Sequence, residues 1–224
     1  MTREAVLGAI RRGLRRGALP ADQATMIAER LSAHPRHLIP DRTNLRRDAL
    51  VALFVSYLER EFGTAARISS ADDVPAAVAD YLAANNLPTE FVLAPHPALQ
   101  GLPWPSRPLL RPHEGRASDS DVVSVQHAFA GIAETGTLVF PSSPTRPTTL
   151  NLLPDTQIAV LVSSRIVGPY EDVWDLLRAD YGPGLMPRSV MFVTGPSRSA
   201  DIEQTLELGA HGPRRLHVIL IEDG

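Results

Sequence analysis

The chain predicts an α/β fold, an open and mostly parallel sheet with flanking helices that resumes after an N-terminal helical arm. Three observations lead there. Apolar runs of strand length alternate with longer stretches of helical period, the pattern by which helical crossovers build parallel sheets. With 44% hydrophobic residues among 224, the chain can bury a substantial core. It must do so without covalent staples, because it has no cysteine.

The elements follow in order. Residues 2–16 read as a short amphipathic helix, with Val6, Ile10 and Leu14 at helical spacing among arginines. Residues 17–43 are punctuated by Pro20, Pro35 and Pro40 and read as an extended arm. A helix over 45–62 stops at Gly63. Then come a strand at 66–68, a helix at 72–84 and a strand at 91–94; Pro75 is tolerated because it falls in the first helical turn. Six prolines between 95 and 112 make an irregular crossing. Strands at 122–125 and 136–140 lead to a proline-rich loop over 141–154. A strand at 157–162, a helix at 170–181, a strand at 190–194, a helix at 200–208 closed by Gly209, and a last strand at 216–221 complete the chain. Two regions result: a basic arm, 1–43, and an α/β domain, 44–224.

Composition removes several chemistries. Without cysteine there is no thiolate ligand for an iron–sulfur cluster or zinc, and no thiol nucleophile. All 22 basic residues are arginine, so Schiff-base catalysis and the lysine-bearing phosphate loop are excluded. The net charge of −3 gives no sign of a nucleic-acid binder. Its distribution is uneven: residues 1–47 hold ten arginines against four acids, net +6, and the remainder twelve against 21, net −9. No run approaches the ~20 apolar residues of a membrane helix, and the N-terminus lacks a secretory apolar segment; a cytoplasmic protein is expected. His34 and His37 lack neighbouring ligands of the right kind, so no metal site is expected. Trp104 and Trp174 are expected to pack rather than bind a cofactor.

Two segments carry candidate chemistry. In the first, Glu134, Thr135, Gly136 and Thr137 precede an apolar strand. Gly136 permits close backbone approach, and Glu134 can act as base, nucleophile or acceptor. The simpler alternative is a turn whose Glu tethers neighbouring N–H groups. In the second, a strand runs into Gly195, Ser197, Arg198 and Ser199, then the 200–208 segment. A helix start there would favour an anion; equally, Asp201 and Glu203 would complement the dipole of a capped helix with Arg198 in an ion pair.

These two segments and the chain end are similar to a known family. IAETGTLV (132–139), LLPDTQIAVL (152–161), SRIV (164–167) and GPSRSADIEQTLELGAHGPRRLHVIL (195–220) resemble the LutC/YkgG family of lactate utilization proteins, which carries the LUD domain. The resemblance is dense in the C-terminal half and thin in the N-terminal half. It implies a fold like the sugar-phosphate isomerase and coenzyme A transferase group, and a role in oxidising L-lactate to pyruvate. It also implies two cysteine-rich partner subunits that carry the iron–sulfur clusters, this chain having no cofactor of its own. On that reading Glu134 has a polar or acid–base role, and the Glu134 turn and the 195–201 loop line one cleft. Ser197 and Arg198 would then hold a carboxylate or phosphate. The chain departs from the family pattern at Gln157, where His is common, at Ser199, where Thr is common, and in the proline-rich loop 141–151. Two rivals remain: a stand-alone acyl-CoA or phosphosugar enzyme with Glu134 as nucleophile, and a scaffold whose basic arm docks the cluster-bearing partners.

Overall fold

The computed structural model describes residues 2–182, 184–200 and 206–223. It divides into two compact units, Met1–Leu38 and Ile39–Gly224. The first holds two helices, α1 (Arg3–Gly13) and α2 (Ala21–Ala33). Thr2 caps α1 by accepting the Ala5 N–H. Helix α2 occupies much of the stretch expected to be extended. Pro20 stands just before it, where a missing N–H costs nothing, and His34 closes it in the left-handed region. Neither helix buries a residue; Val6, Ile10 and Leu14, then Met26, Ile27 and Leu31, are exposed.

The second unit contains α3 (Arg47–Arg60), β1 (Thr64–Ile68), α4 (Val74–Ala84), β2 (Glu90–Leu93), α5 (Pro97–Gln100), β3 (Arg111–Glu114), β4 (Val123–His127), β5 (Ala130–Ile132) and β6 (Thr137–Pro141). It continues through β7 (Thr156–Val162), β8 (Ile166–Val167), α6 (Tyr170–Tyr181), β9 (Val190–Val193), β10 (Arg198–Ala200), β11 (Leu206–Leu208) and β12 (Arg215–Ile221). Six strands form one parallel sheet in the order β1-β12-β7-β4-β2-β3. Its central strands are buried on both faces and mostly apolar, with Ser124, Gln126, Gln157 and His217 among the buried polar exceptions. Val125, Ile158, Val160 and Ile219 pack in one cluster with Val78 and Leu82 of α4 and with Trp104. The alternate residues Ala159, Leu161, Val218 and Leu220 pack with Phe54 and Leu58 of α3 and with Leu138 and Phe140 of β6. Val51, Phe54 and Leu58 recur at helical spacing, which gives α3 its buried face.

Several elements depart from expectation. The strands at 136–140 and 190–194 belong to a second sheet, β8-β5-β6-β9, which packs α6 through Val173 and Leu177. The 95–112 crossing ends in a strand: β3 pairs with β2 at the sheet edge, where Pro112 can sit without breaking a ladder on both sides. Trp104 and Trp174 pack on Phe91 and Phe192. The helix expected over 200–208 is absent at its described ends, where Ala200 pairs antiparallel with Leu206 and Arg198 with Leu208. Residues 201–205, with Asp201 and Glu203, lie outside the described residues. The alternation Leu206-Glu207-Leu208 is a strand signal. No helix among the described residues is long and apolar enough to cross a membrane.

The turn between β5 and β6 is fitted tightly to α3. Gly136 has φ +67°, and a Cβ there would overlap the backbone of Tyr57 and Leu58. Gly136→Ala should therefore lower the melting temperature by about 6–12 °C, equivalent to about 3 kcal/mol. Gly101→Ala, whose Cβ would meet only the Pro97 carbonyl at 3.6 Å, should shift it by no more than about 2 °C. Circular dichroism melts of the two variants check this; equal shifts would contradict it.

Candidate functional site

The two segments singled out in the sequence do come together. Glu134 lies at the tip of the β5–β6 hairpin, and its N–H donates to the Gly168 carbonyl at 3.1 Å. Its carboxylate accepts the Tyr170 N–H at 3.3 Å, and Arg42 Nη2 lies 3.7 Å away. Tyr170 opens α6, whose N-cap, Pro169, offers no side-chain acceptor; Glu134 supplies that acceptor and adds its charge to those of Glu171 and Asp172 in the first turn. Thr135 and Thr137 hydroxyls lie 2.7 Å apart and each is 3.1 Å from the Tyr170 hydroxyl. Thr137 also meets Thr194 at 2.6 Å, which ties the turn to the following loop.

That loop is held by the end of α3. Gly195 has φ +77° and presses on the Glu61 carbonyl just past the end of α3. Arg198 donates to Glu61 Oε2 at 2.7 Å and lies over the Phe62 ring at 4.3 Å. The Ser197 N–H donates to the Pro213 carbonyl at 2.8 Å, and its hydroxyl accepts the His211 N–H at 3.3 Å. Ser199 stands opposite Glu207 in the β10–β11 pair. The polar groups described in the two segments thus bond to one another through Thr137 and Thr194 and otherwise to their surroundings. Gln157, the position where the family often has His, is fully buried; Asn151 Oδ1 accepts from its amide and from that of Gln126, both at 3.0 Å.

A cleft opens elsewhere, beyond the carboxyl ends of β2 and β3. Its volume is ≈ 620 Å³, and it is lined by Arg116, Arg146 and Arg188 with hydroxyls from Ser142, Ser143 and Thr148. No carboxylate among the described residues lines it. From β2 the chain moves on to β3 at the edge, and from β4 it moves the opposite way to β7, so the connections diverge between β2 and β4; open α/β sheets place ligands at such a point. Pro95, Pro144 and Pro147 form stiff parts of the wall.

Beside Arg146 lie two imidazoles. The His96 and His127 rings stack at 4.4 Å and 4°. Arg146 Nε donates to the His127 carbonyl at 3.2 Å. Burial, reinforced by the Arg146 charge, pushes His96 down to about 4. Burial, then His96, Arg146 and Arg165, pushes His127 down to about 3. His96 Nδ1 accepts the Ala98 N–H, so its proton sits on Nε2. His127 Nδ1 is buried without a protein partner. No group of three or more His, Asp or Glu among the described residues is placed to hold a metal ion. None of these arginines or histidines stands out in the sequence, because they lie far apart in it; the faint signal is that His127 and the Arg146 loop each follow an apolar strand.

Comparisons with known proteins now bear on the fold. Residues 112–221 match the family model of the LUD domain. The chain is 40% identical over 102 residues to the Lactate utilization protein C of Bacillus subtilis, covering 45% of this chain and 42% of that protein. Similarity to the protein of the same name from Bacillus licheniformis is 34% over 118 residues, 49% of each. An uncharacterized protein of Neisseria meningitidis is 39% identical over 95 residues, 42% of this chain and 40% of that protein. The matches span about half the length of these curated relatives. A crystal structure of a DUF162 family protein from Deinococcus radiodurans superposes with a TM-score of 0.60 at 23% identity, covering 79% of this chain and 99% of that one. The resemblance read from the sequence is therefore found again in the C-terminal half, and the α/β fold is shared with the solved protein.

The depressed histidines set a pH dependence. Above about 6.5 they are neutral in folded and unfolded chains alike, and their contribution to stability is complete. As pH falls below that value the unfolded chain takes up protons that His96 and His217 refuse until about 4 and His127 until about 3. Stability should fall between about pH 6.5 and 5, where most carboxylates remain ionised. Melting temperature against pH should decline less steeply in His127→Gln than in the unsubstituted protein; identical slopes would remove this histidine as a source.

Proposed function

We propose that this chain is a cluster-free subunit of an L-lactate-oxidising system. L-lactate is converted to pyruvate, and the electrons leave through iron–sulfur clusters held by two cysteine-rich partner chains. The observation that carries this reading is the LUD-domain match over residues 112–221, together with the similarity to proteins named Lactate utilization protein C. The absence of cysteine agrees with it, since thiolate ligands must then come from other chains. The basic arm adds a docking element: its exposed apolar helical residues and its excess of arginine suit an acidic partner surface.

Within the subunit, Glu134 has two readings. Its bond to the Tyr170 N–H favours a tether that fixes α6 against the β5–β6 turn. An acid–base role requires it to release that bond and its approach to Arg42. For Arg198 to hold a substrate anion, the anion must displace Glu61, and the 2.7 Å pair favours a positioning role; Thr135, Gly136, Thr137, Gly195, Ser197 and Ser199 remain candidate anion-binding positions.

Growth on L-lactate tests the reading in a host whose own copy has been deleted. The full chain should restore growth and should co-purify with two cysteine-rich proteins. Failure of both, or turnover of an acyl-CoA or sugar phosphate by the purified chain alone, would contradict it. Glu134→Gln should leave lactate oxidation within about threefold while lowering stability by about 1 kcal/mol; lost oxidation at unchanged melting temperature would make Glu134 an acid–base group. Capture of the partners by the full chain should weaken at ~0.5 M salt and on removal of residues 1–38. Salt-insensitive capture would remove the arm as a charged docking element.

A further inference from the structure

The cleft at the sheet edge points to a ligand independently of the lactate reading. Each of its three arginines is brought there by a segment that is anchored to the same loop. The residue after Arg116, Ala117, donates its N–H to Thr149 Oγ1 at 3.1 Å. The residue after Arg188, Ser189, exchanges bonds with Ser142: its N–H donates to Ser142 Oγ at 3.0 Å, and its carbonyl accepts the Ser142 N–H at 2.9 Å. Arg146 is pinned through Nε to the His127 carbonyl, and its backbone closes a turn with Ser143. Among the described residues none of the three forms an ion pair with a carboxylate, although Arg42, Arg67, Arg165, Arg178, Arg198 and Arg214 all do.

Holding three like charges around a concave surface costs electrostatic energy unless an anion relieves it. Guanidinium forks match the oxygens of carboxylate or phosphate in pairs. Three forks offer more donors than one carboxylate can accept, whereas a phosphate presents three acceptor oxygens and close to two negative charges. Hydroxyls of Ser142, Ser143 and Thr148 line the same wall. At ≈ 620 Å³ the cleft also has the size of a whole small-molecule site, and a three-carbon acid fills little of it.

We propose that the Arg116–Arg146–Arg188 cleft is a binding site for a phosphate-bearing small molecule. The phosphoryl oxygens meet the three guanidinium groups, and the neutral His96–His127 pair lies behind Arg146 without adding a fourth charge.

Calorimetric titration of the full chain with inorganic pyrophosphate at ~0.15 M salt tests this. Saturable binding with a Kd below about 1 mM is expected. Arg188→Gln and Arg116→Gln, at exposed positions that leave folding intact, should each weaken it by about tenfold, and Arg198→Gln by less than about twofold. L-lactate should bind at least about tenfold more weakly than pyrophosphate. Adenosine diphosphate binding more tightly than pyrophosphate identifies a phosphorylated organic ligand, and equal binding identifies the phosphoryl group alone as sufficient; both support the site. Absence of saturable heat at ~10 mM pyrophosphate, lactate binding as tightly, or an equal loss in Arg198→Gln would overturn it.

Discussion

The close approach of two glycine turns to the end of α3 is the constraint on which much of the second unit depends. Neither Gly136 nor Gly195 leaves room for a Cβ against that helix. The first turn carries Glu134, which in turn holds the start of α6; the second carries Arg198 to its partner Glu61. The helix itself is bound to the parallel sheet by Phe54 and Leu58. One surface therefore sets the position of the second sheet, of α6 and of the 195–198 loop. A side chain at either glycine would disturb all three, because a packed interior transmits a misfit rather than absorbing it.

This arrangement divides polar residues by what they face. At the junction, hydroxyls and charges are matched internally: Thr135, Thr137, Tyr170 and Thr194 bond among themselves, and Arg198 has both a carboxylate and a ring. At the carboxyl ends of β2 and β3 three arginines face a cleft with no acid among the described residues of its wall. Satisfied groups hold structure together, while like charges gathered on a concave wall favour an anion from solution. The parallel sheet makes the second region possible, since its strands all end on the same side and their connections diverge between β2 and β4.

The sheet core was readable because its strands are dominated by apolar residues: 157–162 and 216–221, each with one polar residue, lie within β7 and β12. Short elements were not. Strands β5 and β8 have three and two residues, too few for a period to show, and β3 is an edge strand disguised by Pro112. In the arm, three prolines outweighed the helical spacing of Met26, Ile27 and Leu31, although none of the prolines falls inside α2. The Glu134–Thr137 and Gly195–Arg198 segments were legible as special because of their glycines, but sequence alone does not say that the close approach is to α3 rather than to a ligand. The arginine cleft was invisible for a simpler reason. Its members come from three separate loops, and only the fold of the sheet brings them together.

Hydrogen–deuterium exchange of the full chain with and without inorganic pyrophosphate separates the two regions most directly. If the cleft is the ligand site and the glycine junction a structural one, pyrophosphate should slow exchange at residues 115–117 and 142–149 and leave 134–137 and 195–198 unchanged. Slowing confined to 134–137 and 195–198, with the cleft loops unaffected, would contradict that division.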